Sequence, residues 1–248
     1  MVLAAFLLLV SVKSDLIEVI NGDLPIVITA PHGGTKAIPG SELRKDTTLP
    51  QFVTVLDTRT DDLARETAKQ VEKEFGKKPF VVIAKFARTY ADANRPAKYG
   101  AESDAARAVH AEYHEAVRKA VDAVRAKFGK GILIDIHGQG ADKETVFRGT
   151  QNLKTVTSLS DEVIFGPRSF LGILECQGIK IFPTMRDAHK KENLKFDGGY
   201  TVQTYGLNSN AGIMAIQLEF GASYRRGDAI PGVAKKLAEA LKSHCDSF

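Results

Sequence analysis

Two short apolar segments each end in a histidine followed by glycine. Ile26-Val27-Ile28-Thr29-Ala30 runs into Pro31-His32-Gly33-Gly34, and Ile132-Leu133-Ile134 runs into Asp135-Ile136-His137-Gly138. Neutral imidazole is a ligand for divalent transition metals, and two imidazoles brought to one edge of a sheet can share an ion. The glycine after each lets the backbone turn and a ligand approach closely. A hydrolytic zinc site takes three protein ligands and keeps one position open for water. Asp57 is the leading candidate for the third ligand, with a helix-capping role as its alternative. Asp61 and Asp62 stand nearby, but acids in a first helical turn are expected from the helix dipole alone.

Glu219 lies inside the apolar run Ile213–Phe220. Burying a carboxylate there is costly unless it is paired, protonated or beside a cation. Facing a metal, it would have the raised basicity of a general base for water; facing solvent on an edge strand, it would have no such role. Arg88 and the segment Asp92-Ala93-Asn94-Arg95 form a third cluster. Guanidinium forks and an adjacent amide suit a substrate carboxylate or a developing oxyanion, and equally a salt-bridged loop. His110 and His114 have the i, i+4 spacing of a helical zinc pair, but Ala111 stands where that motif requires glutamate. Gly138-Gln139-Gly140 lacks the Lys-Ser/Thr ending of a phosphate loop, and no Gly-x-Ser-x-Gly elbow occurs.

The elements that must position these groups alternate along the chain. Ile26–Ala30, Phe80–Ala84, Ile132–Ile134 and Gly212–Phe220 read as buried strands, and Ile179–Phe182 as a further short one. Asp61–Phe75, with Thr60 as its cap, Ala105–Phe128 and Ile230–His244 read as amphipathic helices; Ser169–Gln177 and Tyr200–Tyr205 read as shorter ones. Leu16–Ile20 and Pro25–Thr29, joined by Asn21-Gly22-Asp23, read as a β-hairpin, and 140–161 as a weaker one. Strands alternating with helices imply an α/β fold: one domain with a mixed, mostly parallel sheet and helices on both faces. Ligands of such sheets bind outside the carboxyl ends of the strands, where both histidines fall.

Composition bounds the function. The chain has 248 residues, 44% hydrophobic and 26% charged, with a net charge of +4. It is large enough for a substantial core, and its basic residues are too interleaved with acids to indicate nucleic acid. Cys176 and Cys245 exclude a disulfide-rich scaffold and leave one bridge or two thiols open. Residues 1–14 carry a nine-residue apolar run, Val2–Val10, of signal-peptide length but without a basic leader, or else a first strand. The expected protein is secreted in the first case and cytoplasmic in the second. The run is too short for stable membrane insertion.

Taken in order, Pro31-His32-Gly33-Gly34, Val55-Leu56-Asp57 with Thr60 and Leu63-Ala64, Arg88, and Asp92-Ala93-Asn94-Arg95 resemble the N-formylglutamate amidohydrolase-like family. So do Asp135-Ile136-His137-Gly138, Asp197-Gly198-Gly199-Tyr200 and Gln217-Leu218-Glu219. The resemblance implies a zinc carboxypeptidase-like fold and a single zinc-hydrolase domain over 15–248. It implies Zn²⁺ on His32, His137 and Asp57, Glu219 as general base and Arg88 polarising the carbonyl. Asn94 and Arg95 would grip a substrate carboxylate, Tyr200 would close over the substrate, and His114 is a further substrate-side candidate. The implied substrate is a small N-acyl amino acid or short peptide with a carboxylate. A carboxypeptidase or cell-wall amidase acting on longer peptides, and a non-catalytic binding module, are the alternatives.

Overall fold

The computed structural model describes residues 15–246. The signal-peptide or first-strand expectation for residues 1–14 lies outside the described residues. In chain order the elements are β1 (Ile17–Ile20), β2 (Ile26–Ala30), α1 (Thr60–Phe75), β3 (Phe80–Ala84), α2 (Ala97–Gly100), α3 (Asp104–Phe128) and β4 (Ile132–Gly138). There follow β5 (Val146–Gly149), α4 (Asp161–Phe165), α5 (Phe170–Cys176), β6 (Ile181–Phe182), α6 (Tyr200–Tyr205), β7 (Met214–Phe220) and α7 (Ile230–Asp246). They form one seven-stranded sheet in the order β1-β3-β2-β4-β7-β5-β6. The central strands β3, β2, β4 and β7 are parallel, whereas β1 on β3 and β5 on β7 are antiparallel.

The central strands are continuous apolar runs because both faces are covered. Ile26, Ile28, Ile132, Ile134, Ile216 and Leu218 pack on one face with Leu63 and Val71 of α1 and Leu237 and Leu241 of α7. Val27, Val82, Leu133 and Ala215 pack on the other with Tyr113, Val117 and Val124 of α3. Period-2 alternation therefore assigns Asp135, His137, Gln217 and Glu219 to the α3 face. That face is apolar at Leu133 and Ala215 and turns polar toward the carboxyl ends of the strands.

Two hairpins expected from sequence are absent. β1 and β2 do not pair; β3 lies between them. The Asn21-Gly22 link crosses the start of β3, where Asp23 N donates to Lys78 O at 2.8 Å and a Cβ on Gly22 would come within 2.3 Å of Pro79 C. The glycine serves this close approach rather than a two-residue turn. The 140–161 segment supplies a single strand, β5, paired to β7 and β6. The side chain of Thr60 does not cap α1; it donates to Asp57 O at 2.8 Å. Cys176 and Cys245 are free thiols. Among the described residues no helix is long and apolar enough to cross a membrane.

Leu63 is fully buried, so Leu63→Ala is expected to cost about 3 kcal/mol in a urea titration. A loss under 1 kcal/mol would mean that the α1 side of the core is loosely packed. His244, buried on α7, is held neutral, its pKa pushed by burial from 6.5 to about 4. The unfolded chain takes up this proton first as pH falls, so stability is full above pH 6.5 and declines toward pH 4. Between pH 7 and 4.5 the wild type should lose on the order of 2 kcal/mol more than His244→Leu. Equal losses in the two proteins would contradict this assignment.

Candidate metal centre

The parallel register sets Asp135 beside Gln217 and His137 beside Glu219, and puts Thr29 of β2 beside Asp135. Two residues past β2, His32 arrives at the same edge, and ring centroids of His32 and His137 lie 4.9 Å apart. Asp57, just before α1, reaches between them. Its Oδ2 lies 3.3 Å from His32 Nδ1 and 3.2 Å from His137 Nδ1, and it accepts from Gly138 N at 3.2 Å. One donor atom from each of His32, Asp57 and His137 falls within 4.8 Å of the others, and all three residues are buried.

The far nitrogen of each ring is fixed by its own carboxylate. His32 Nε2 donates to Asp92 Oδ1 at 2.7 Å, and His137 Nε2 donates to Asp135 Oδ2 at 2.9 Å. Asp135 is held in turn by Thr29 Oγ1 at 2.6 Å, and Asp92 by Arg88 Nε at 2.8 Å. Once Nε2 carries the proton, the Nδ1 lone pair of each ring points at the Asp57 carboxylate. Two lone pairs facing an anion require a cation between them, either protons on Nδ1 or a metal ion. This donor set of two imidazoles and a carboxylate, with anchored outer nitrogens, fits a divalent transition metal.

The electrostatics agree. Burial pushes the His137 pKa down, but the Asp135 and Asp57 carboxylates outweigh it and hold the ring well above its ordinary value. Burial likewise favours neutral Asp57, yet hydrogen bonds with His137 and His32 keep it below the usual carboxylate range. Glu219 goes the other way. Burial, with Asp57 adding repulsion, raises its pKa to about 8 against the pull of His137 and Arg88. Glu219 Oε1 lies 3.9 Å from His137 Nδ1 and accepts from Gln217 Nε2 at 2.9 Å. β7 is an interior strand, so Glu219 does not face solvent.

A cleft of about 230 Å³ opens over these groups, lined by His32, Asp57, His137, Glu219, Arg88, Asn94 and Arg95 and, on one wall, by Leu194–Gly199. That wall is anchored by the buried Glu192, which accepts from Arg148 Nε, Thr150 N and Asn152 N at 2.8–2.9 Å. Arg88 Nη1 is 3.7 Å from Asp57 Oδ1. Arg95 bonds Asn94 O, and its Nε is buried without a hydrogen-bond partner. The Asn94 amide is spent internally, donating to Gln217 Oε1 at 3.1 Å and accepting from Thr201 N at 2.9 Å, with its Nδ2 also 3.2 Å from His137 Nε2. His114 and Tyr200 do not line the cleft. His114 Nε2 donates to Ala93 O at 2.8 Å and packs on Tyr200, so both support the Asn94 turn from behind. Asp61 and Asp62 bind Arg65 on the helix surface.

Several contributors escaped sequence reasoning. Asp135 and Gln217 stand two residues before His137 and Glu219, and strand alternation alone would have flagged them. Arg44, buried and bonded to Val53 O, Arg88 O and Tyr99 O, carries no local signal, nor does Lys195 on the cleft wall.

The N-formylglutamate amidohydrolase family profile matches residues 98–224, half of the chain, including His137 and Glu219. Among solved structures, an N-formylglutamate amidohydrolase from Ralstonia eutropha JMP134 is similar with a TM-score of 0.60 and 15% identity, over 93% of this chain and 97% of that one. A gene product of Agrobacterium tumefaciens has a TM-score of 0.58 and 14% identity, over 94% and 96%. These likenesses establish a shared mixed α/β fold. No curated protein matches the sequence. The chain belongs to the N-formylglutamate amidohydrolase family.

Proposed function

We propose that this chain, as one domain over 15–248, is a zinc-dependent amidohydrolase. Its substrate on this reading is a small N-acyl amino acid of the formyl type, or a short peptide, carrying a free carboxylate. The observation that carries the reading is the Asp57 carboxylate flanked by two imidazole Nδ1 atoms whose Nε2 atoms are already committed to Asp92 and Asp135. His32 Nδ1, His137 Nδ1 and Asp57 would hold the ion. Bound there, Zn²⁺ supplies the Lewis acidity that makes water nucleophilic near neutral pH and polarises an amide carbonyl.

The chain's own groups supply the rest. Glu219, high in basicity through burial, takes a proton from water on a carboxylate oxygen and later passes it to the leaving nitrogen. Gln217 Nε2 holds that carboxylate in place. Arg88 stands over Asp57 with its Nη1 available to the carbonyl oxygen as negative charge develops. Arg95 and Lys195, both lining the cleft, suit a substrate carboxylate. Asn94 keeps that turn in register, and His114 and Tyr200 brace it. Near the centre, Asp57, Asp92, Asp135 and Glu219 are matched in number by Arg44, Arg88, Arg95 and Arg225, and Lys195 and Asp197 on the cleft wall add one charge of each sign. A divalent ion then leaves the site net positive, which favours an anionic substrate. The small cleft with its anchored wall favours a compact substrate over a long peptide.

Glu219→Gln is expected to lower kcat on N-formyl amino acids by about 10²–10⁴-fold with bound metal unchanged. Arg88→Ala should cost about a hundredfold in kcat. Turnover that survives in Glu219→Gln would refute the general-base role. Turnover confined to peptides of four or more residues would favour the carboxypeptidase-type alternative. No turnover of either class by the wild type would leave the binding-module reading.

A further inference from the structure

Arg225 ends a short 3-10 turn, Ala222–Arg225, immediately after β7, and does not line the cleft. Its guanidinium is spent on backbone oxygens of three separate segments. Nε donates to Phe220 O at 2.9 Å, Nη2 to Gln139 O at 3.2 Å, and Nη1 to Thr58 O. Those carbonyls follow Glu219 by one residue, His137 by two and Asp57 by one. The guanidinium also lies flat on Gly138: a Cβ there would fall 2.6 Å from Arg225 Cζ and 2.8 Å from Nε and Nη1. From the same glycine, the backbone N donates to Asp57 Oδ2 at 3.2 Å.

The Gln139 and Phe220 segments are bonded to each other through Gln139 N and Phe220 O at 3.0 Å, and Asp57 N is bonded to His32 O at 3.1 Å; Arg225 is the side chain that joins these two sets. β2, which flanks β4, stops at Ala30, level with no residue beyond Ile136, so no neighbouring strand takes up the Gly138 N–H. The Asp57 loop joins the sheet edge through the Gly138 and histidine contacts and through Thr58 O on Arg225. A planar guanidinium meets the three carbonyls with three different nitrogens; the three donors of an ammonium radiate from one nitrogen and reach only carbonyls that converge on a single point.

We propose that Arg225 is a positioning residue: a three-way backbone clamp that fixes Asp57 against His137 and Glu219, with Gly138 supplying the flat surface on which it lies. Its catalytic consequence rests on the metal-hydrolase reading above, but the clamp itself is testable in metal-free protein.

The test compares wild type, Arg225→Ala, Arg225→Lys and Gly138→Ala, with Arg118→Ala on the exposed face of α3 as a control. Three quantities are read: amide hydrogen exchange at Gly138 and at Ile134 without metal, Zn²⁺ affinity by chelator competition, and the split between kcat and KM. In Arg225→Ala, exchange at Gly138 should rise at least about tenfold while Ile134 stays protected. Zn²⁺ affinity should fall about 10–100-fold, and kcat should fall with KM nearly unchanged. Arg225→Lys should resemble Arg225→Ala, because charge without the fork does not restore the clamp. Gly138→Ala should give the same pattern by displacing the guanidinium, and it stands in if Arg225→Ala does not fold. The proposal is overturned if Gly138 exchange is unchanged, if Ile134 rises in parallel, or if Arg225→Lys restores wild-type values. If the wild type binds no zinc and hydrolyses nothing while the exchange result holds, the hydrolase reading fails and the clamp stands.

Discussion

The structure around the cleft depends on one buried arrangement: the Asp57 carboxylate placed between the Nδ1 atoms of two imidazoles. A carboxylate this deep is unfavourable by several kcal/mol unless positive charge meets it, and the two rings can meet it only by carrying protons or sharing a metal ion. Everything nearby serves that requirement. Asp92 and Asp135 fix which nitrogen faces inward, Thr29 and Arg88 fix those carboxylates, and Gly138 N adds a third contact to Asp57. Protons and a metal compete for the same Nδ1 atoms, so loading the site releases protons and weakens as pH falls.

The sheet turns this local chemistry into a site. Because β4 and β7 are parallel and in register, a row of alternating residues places His137 next to Glu219 and Asp135 next to Gln217 without any loop needing to be exact. The same alternation keeps Leu133 and Ala215 in the core beneath them. Rigid strands therefore carry one imidazole and the carboxylate of high basicity. Loops carry His32, Asp57, Arg88 and Arg95, and their placement relies on explicit ties from Arg44 and Arg225 to backbone oxygens.

What the sequence made legible follows that division. The α/β alternation, the buried strands and the long helices could be read because burial writes a period into the residues. His32, His137 and Glu219 stood out because polar groups at the ends of apolar strands are costly and need a reason. Asp57 was separable from Asp61 and Asp62 only weakly, since a loop carboxylate before a helix has an ordinary capping explanation. The Asn21-Gly22 hairpin failed because a turn signal is local, whereas the competing parallel pairing of β2 with β3 is not. Arg44 and Arg225 were invisible for the same reason: their partners are backbone oxygens far along the chain, which leave no pattern in composition or spacing. The tie of the Asn94 amide to Gln217 and Thr201, in place of an open grip, also depends on contacts across more than a hundred residues.

The most direct test of the central claim is metal content by plasma mass spectrometry on purified protein offered zinc, alongside His137→Ala. About one zinc per wild-type chain, lost in the variant, is the expected result. A wild type that takes up no divalent metal while remaining folded would contradict the account.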